Sequence, residues 1–169
     1  MRYFIDTEFI ERPCTIDLIS LGIVREDGNM YYAESLETNW AFANDWVIEH
    51  VKPNLIGDSV SNTLAGISGD VHQWIGDDTP EFWGYYADYD WVVFCWLFGT
   101  MMDLPPGWPM YCRDLKQLLD ERNISREAIN QQVRPAPTTH NALDDARWVR
   151  HVYYWVTRHD DNVWMMKDR

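Results

Sequence analysis

Cysteine is scarce and gives no framework: Cys14, Cys95 and Cys112 form no CxxC pair and leave one over, which speaks against both a disulfide scaffold and a thiolate zinc site. A reducing, cytoplasmic setting is expected. Long apolar runs are also lacking. No stretch approaches the roughly 20 apolar residues of a membrane span, and the short run after Arg2 is broken by Asp6, unlike a signal peptide, so a soluble protein without a membrane partner is expected. Basic charge is short too: 14 Lys and Arg stand against 27 Asp and Glu, a formal net charge of −13, which on its face disfavours a nucleic-acid partner. No P-loop, G-x-G-x-x-G, H-E-x-x-H or G-x-S-x-G occurs, so nucleotide triphosphate, dinucleotide, zinc-protease and serine-hydrolase readings lose their sequence support.

What is present suits one compact domain over residues 1–169, with 46% hydrophobic and 15% aromatic residues to fill a core. Ten Trp and nine Tyr exceed what such a core needs, which places some aromatics at a subunit interface or a base-stacking surface. The charge is uneven. Residues 1 to 90 hold 4 Lys/Arg against 17 Asp/Glu, whereas residues 91 to 169 hold 10 of each. The second half can therefore present either a local basic face, drawn from Arg113, Lys116, Arg122, Arg126, Arg134, Arg147 and Arg150, or an ordinary mixed-charge surface.

Alternation and turn residues predict strands at 2–7, 15–24 and 29–35, the last two joined by an Asp27-Gly28 hairpin turn. Residues 39–51 and 61–75 read as helices, 81–86 as a buried strand, 90–99 as a buried helix ending at Gly99, 110–112 as a short strand and 114–123 as a helix. After a proline break at 134–139, Ala142, Ala146, Val149, Val152, Tyr153 and Val156 form a helical stripe over 141–156. Strands first, then alternating helix and strand, point to an α/β domain with a mixed sheet flanked by helices.

Several acids do not suit this core. In the strand "FIDTEF", Phe4, Asp6 and Glu8 share one face. Asp88 is placed as the N-cap of the buried helix, and Asp90 in its first turn lies on the stripe of Val93, Phe94 and Leu97. In "HNALDDARW", Asn141 with Asp144 resembles a capping pair, while Asp145 falls on the apolar stripe and His140 precedes the helix. Four inward carboxylates would repel each other by roughly 4 kcal/mol per pair at about 4 Å and an effective dielectric near 20. Raised pKa values or bound cations offset that repulsion, and oxygen-only donors suit hard divalent cations.

The ordered set of D-x-E at Asp6 and Glu8, Asp90 before a buried helix, and H-x4-D at His140 and Asp145 resembles the DEDDh family of 3′-to-5′ exonucleases. Within it, "MRYFIDTEFIE" and "HNALDDARW" are similar to the mycobacterial ribonuclease AS group, over nearly the whole chain. The resemblance implies a ribonuclease H-like fold of the DnaQ type and two Mg²⁺ or Mn²⁺ ions on Asp6, Glu8, Asp90 and Asp145. It further implies a homodimer, and hydrolytic release of nucleoside 5′-monophosphates from RNA 3′ ends, with a taste for adenylate. His140 would take the proton of the attacking water, Glu8 would contact the terminal ribose hydroxyl, and Phe9 would stand under the terminal base. Because the remaining acidity disfavours long tracts, few nucleotides are expected to be held. A deoxyribonuclease or dual-specificity exonuclease would carry the same acids, and a silent nucleic-acid-binding module would keep the fold without the reaction.

Overall fold

The computed structural model describes residues 1–167, with side chains described as far as Arg158. Strands β1 (Arg2–Arg12), β2 (Thr15–Arg25) and β3 (Met30–Ser35) form an antiparallel meander. Three further strands, β4 (Ser61–Asn62), β5 (Glu81–Gly84) and β6 (Arg113–Asp114), add parallel pairings, giving a mixed sheet of order β4-β3-β2-β1-β5-β6. Among the described residues, six α-helices surround it: α1 (Asp45–His50), α2 (Leu64–Ile75), α3 (Asp88–Trp96), α4 (Leu115–Glu121), α5 (Arg126–Gln132) and α6 (Ala142–Lys167).

The alternation of β1 divides the core in two. Tyr3 and Ile5 pack with Ile67, Val71, Trp91 and Phe94 of α2 and α3. Phe4 points the other way, into Leu115, Leu119, Ile129, Val149 and Val152 of α4, α5 and α6. Helices therefore cover both faces of the sheet, and β1 runs through the middle of the domain, where its acids meet side chains from either layer.

The α/β mixed architecture expected from the sequence is present, with differences in detail. The helix expected over 39–51 is a 3-10 turn followed by α1 alone, because Asn44 caps a fresh start by accepting the Val47 amide hydrogen at 2.9 Å. The short strand expected at 110–112 lies at Arg113–Asp114 instead, where it pairs with Trp83 and Gly84. Helix α5 was not expected at all. Its Ser125 cap accepts from the Ala128 amide at 3.2 Å, but only Ile129 is buried, so no apolar stripe announces it.

One glycine fixes where α6 begins. Gly22 lies opposite Asp6 in the β1–β2 register, and a Cβ there would come within 2.3 Å of the Ala142 carbonyl. The bare backbone lets α6 enter beside Asp6. Gly22→Ala should destabilise the fold by at least about 1–3 kcal/mol, since backbone cannot rotate out of the way as a side chain can; urea unfolding measures this, and an unchanged midpoint would refute the close approach.

Candidate active site

Inward acids gather where β1, α3 and α6 meet, in a cavity of about 460 Å³ lined by Asp6, Glu8, Asp90, His140 and Asp145. One carboxylate oxygen each from Asp6, Glu8 and Asp145 lie within 4.8 Å of one another. Asp90 faces the same cavity but stands outside that triad. Its Oδ1 accepts hydrogen bonds from the Thr7 amide at 2.8 Å and the Thr7 hydroxyl at 2.5 Å, which fix α3 to β1 at the site.

Local sequence explains how each acid arrives. Asp6 and Glu8 share a face of β1, and the register shifts between Glu8 and Phe9, a bulge that ends the regular alternation beside the site. Asp90 is buried on the face of α3 that also buries Val93 and Phe94. The expectation that Asp88 caps this helix does not hold. Asp88 is its first residue, and the cap position falls on Ala87, which has no side-chain acceptor to offer; the Ala87 amide itself donates to the Asp114 carboxylate at 3.0 Å. Asp114 also accepts the Lys116 amide at 2.6 Å, so one carboxylate organises the starts of two helices.

At α6, Asn141 accepts the Asp144 amide hydrogen at 3.2 Å, as a cap should. The Asp144 carboxylate, however, pairs outward with Arg147 at 2.7 Å, so the capping pair is half formed. Asp145 turns inward and accepts the His140 amide hydrogen at 2.9 Å. His140 adopts a left-handed backbone, φ 60°, a conformation that costs about 1 kcal/mol or more for a residue other than glycine. Two contacts from α1 and the 3-10 turn after it hold it there: the Trp46 ring, T-shaped at 4.7 Å between centroids, and Asn54, which donates to the Thr139 carbonyl at 2.9 Å.

The electrostatics record uncompensated negative charge. Burial, then repulsion from Asp90, Asp145 and Glu8, drives the Asp6 carboxyl well above its ordinary value. Glu8 is pushed up to about 8, by burial first and then by Asp145 and Asp90. Burial raises Asp90 to about 6 despite the Thr7 hydrogen bonds, which hold it down. Asp145 is raised by burial against the lowering effect of the His140 amide. Oxygen donors this close, with protons held this tightly, form a site that a hard divalent cation fits by donor chemistry.

Arg126, one of the residues expected on a basic face, lines this cavity, 4.4 Å over the Trp148 ring and 5.6 Å from that of Tyr85. Two further residues of the cavity escaped sequence reasoning. Tyr86, with φ 57°, and Tyr89 are exposed at its mouth, and Phe9 meets Tyr89 at 5.8 Å. The cluster "YYADY" was the available signal, but its composition does not say which rings face a cavity. Nor do the seven basic residues form a single face. Arg113 pairs with Glu81, Lys116 with Asp120 and Arg147 with Asp144, while Arg134 and Arg150 line a separate groove.

The model for the 3′-5′ exoribonuclease Rv2179c-like domain matches residues 1–157. The chain belongs to this exoribonuclease family. Two of its relatives, the 3′-5′ exoribonucleases Rv2179c and MT2234.1 of Mycobacterium tuberculosis strains H37Rv and CDC 1551, are each 40% identical over 167 residues, covering 95% of this chain and 96% of theirs. Among solved structures, Escherichia coli exonuclease I in complex with a dT13 oligonucleotide superposes with a TM-score of 0.67 at 11% identity. That match covers 98% of this chain and 42% of the exonuclease, and it agrees with a ribonuclease H-like α/β fold for the Rv2179c-like domain.

Proposed function

We propose that the chain acts as a single 3′-to-5′ exoribonuclease domain of the DEDDh type, hydrolysing the terminal phosphodiester of RNA and releasing nucleoside 5′-monophosphates. The observation that carries this reading is the meeting of Asp6, Glu8 and Asp145 oxygens within 4.8 Å, with Asp90 and His140 on the same cavity, in a chain of an exoribonuclease family.

Asp6, Glu8, Asp90 and Asp145 would hold two divalent cations, Mg²⁺ or Mn²⁺. When bound, such ions activate water and neutralise charge on the phosphate. The chain's own residues do the rest. His140 takes the proton from the water whose oxygen attacks phosphorus, and the 3′-oxygen of the preceding nucleotide leaves; a histidine suits proton transfer near neutral pH. The amide hydrogen bond from His140 to Asp145 holds the base at a fixed distance from the acids. Glu8 contacts the terminal ribose hydroxyl, and Phe9, backed by Tyr89, stacks under the terminal base. A homodimer and a cytoplasmic setting belong to the same reading, supported by family resemblance and by the lack of any described helix long and apolar enough to cross a membrane.

The test is a time course on 5′-labelled RNA with a single-stranded oligoadenylate 3′ overhang, beside matching DNA, in Mg²⁺, Mn²⁺ or EDTA. Metal-dependent loss of one nucleotide at a time from RNA is the expected result. Equal shortening of DNA would widen the substrate class, and no shortening by folded protein would leave a binding module.

A further inference from the structure

Val133 and Arg134 line one cavity and the adjoining Pro135 and Ala136 line another. The second of these is the active-site cleft. The first is a groove of about 580 Å³ over the outer side of α6, where Arg134, Arg150 and Arg158 converge with His151, Tyr154 and Trp155. Both also run along α6: Asp145, Trp148 and Val149 face the cleft, and the groove continues to Arg158, about 20 Å further along the helix axis.

The groove is positive in a chain whose net charge is −13. Among the described residues the groove has one acid, Glu26, whose carboxylate is engaged by Arg2 at 3.3 Å and whose carbonyl accepts from Arg150 at 2.8 Å. Arg134 and Arg158 are exposed and have no carboxylate partner among the described residues. Burial, then Arg150 and Arg147, lower the pKa of His151, so three guanidinium groups supply the charge near neutral pH. Tyr154 holds two of them, with Arg150 at 5.2 Å and Arg158 at 5.7 Å from its ring. Guanidinium forks match phosphate geometry, and arginines interleaved with partly exposed aromatics form the kind of surface that tracks a single-stranded backbone.

We propose that this groove is a second, sequence-independent RNA site, which holds phosphates of the same strand upstream of the 3′ end lying in the cleft. The inference rests on the exoribonuclease reading of the cleft. It also revises the expectation that only a few nucleotides are held, because local charge outweighs net charge within the Debye length of about 8 Å.

The test uses the double reversal Arg134→Glu/Arg158→Glu, both exposed positions, beside the charge-matched Lys52→Glu/Arg113→Glu. Affinities for oligoadenylates of roughly 4 and roughly 16 nucleotides, the span over which single-stranded sites extend, are measured in EDTA across a salt series, with sedimentation of each variant. The groove variant should bind the long strand at least 10-fold more weakly and the short strand within about two-fold of wild type. Its salt dependence on the long strand should flatten by roughly 1.4, about 0.7 for each lost phosphate contact. An equal loss in the charge-matched control, or a loss independent of length, overturns the groove site. So does a change of oligomeric state with length dependence intact, which would seat a second copy of the chain there. Metal-dependent shortening by wild type, run in parallel, separates the two readings. RNA shortened by wild type but bound unchanged by the groove variant removes the groove alone, whereas groove-dependent binding without shortening removes the exonuclease reading.

Discussion

Asp145→Asn is expected to lower the rate of RNA shortening by more than about 10²-fold, the scale on which groups that manage charge at a reacting phosphate matter, while Asp144→Asn keeps most of it. The two residues are adjacent, both aspartates and in the same first turn of α6, so composition cannot tell them apart. Geometry does. The Asp145 carboxylate lies in the triad with Asp6 and Glu8 and also accepts the His140 amide, so its loss removes one oxygen donor's charge and loosens the proton acceptor together. Asp144 pairs with half-exposed Arg147, an interaction worth up to about 1 kcal/mol. Rates on 5′-labelled RNA, with circular dichroism to confirm folding, make the comparison. Equal losses in the two variants would show that the rotation of α6 has been misassigned.

The second large effect concerns stability without metal. Glu8 at about 8 and Asp90 at about 6, with Asp6 and Asp145 also raised, mean that the folded protein holds protons that the unfolded chain releases at its ordinary values of 3.8 for Asp and 4.5 for Glu. Below those values both states are protonated and the site carries no penalty. As pH rises from about 4 to about 8 the unfolded chain ionises first, so stability falls, and the fall ends only when both Glu8 and Asp6 have titrated. In EDTA the melting temperature should therefore drop across that window. Added Mg²⁺ or Mn²⁺ binds the ionised carboxylates of the folded state only, and at a hundred times its Kd adds about 2.7 kcal/mol, or roughly 5–10 °C for a chain of this size. The rescue should be larger near pH 8 than near pH 5, because protons compete with the cation at the lower pH. A melting temperature indifferent to metal at pH 8 would sink the idea that these carboxylates share a cation site.

Resolving Asp145 from Asp144 was within reach of the sequence because both rest on one local period: apolar residues at helical spacing fix the rotation of α6, and rotation alone decides which acid points inward. The same holds for Asp6 and Glu8 on one face of β1 and for Asp90 on the apolar stripe of α3. The misreadings also have local causes. The stripe suggests a helix starting after Asp88, but the helix begins one residue earlier, so the cap position falls on Ala87, whose amide is held by Asp114, 26 positions beyond Asp88 in the chain.

By itself, then, the sequence determined the mixed α/β class, the ordered acids with His140, and which face of each element those acids occupy, since all of these follow from periods of two and 3.6 residues and from turn chemistry between neighbours. Only the tertiary structure decided that Asp6, Glu8 and Asp145 close to within 4.8 Å while Thr7 holds Asp90, that Gly22 opens the way for α6, and that Arg126 and the groove arginines go to separate cavities. Those contacts join residues tens of positions apart, and they are set by how layers pack across a sheet rather than by any pattern within one segment.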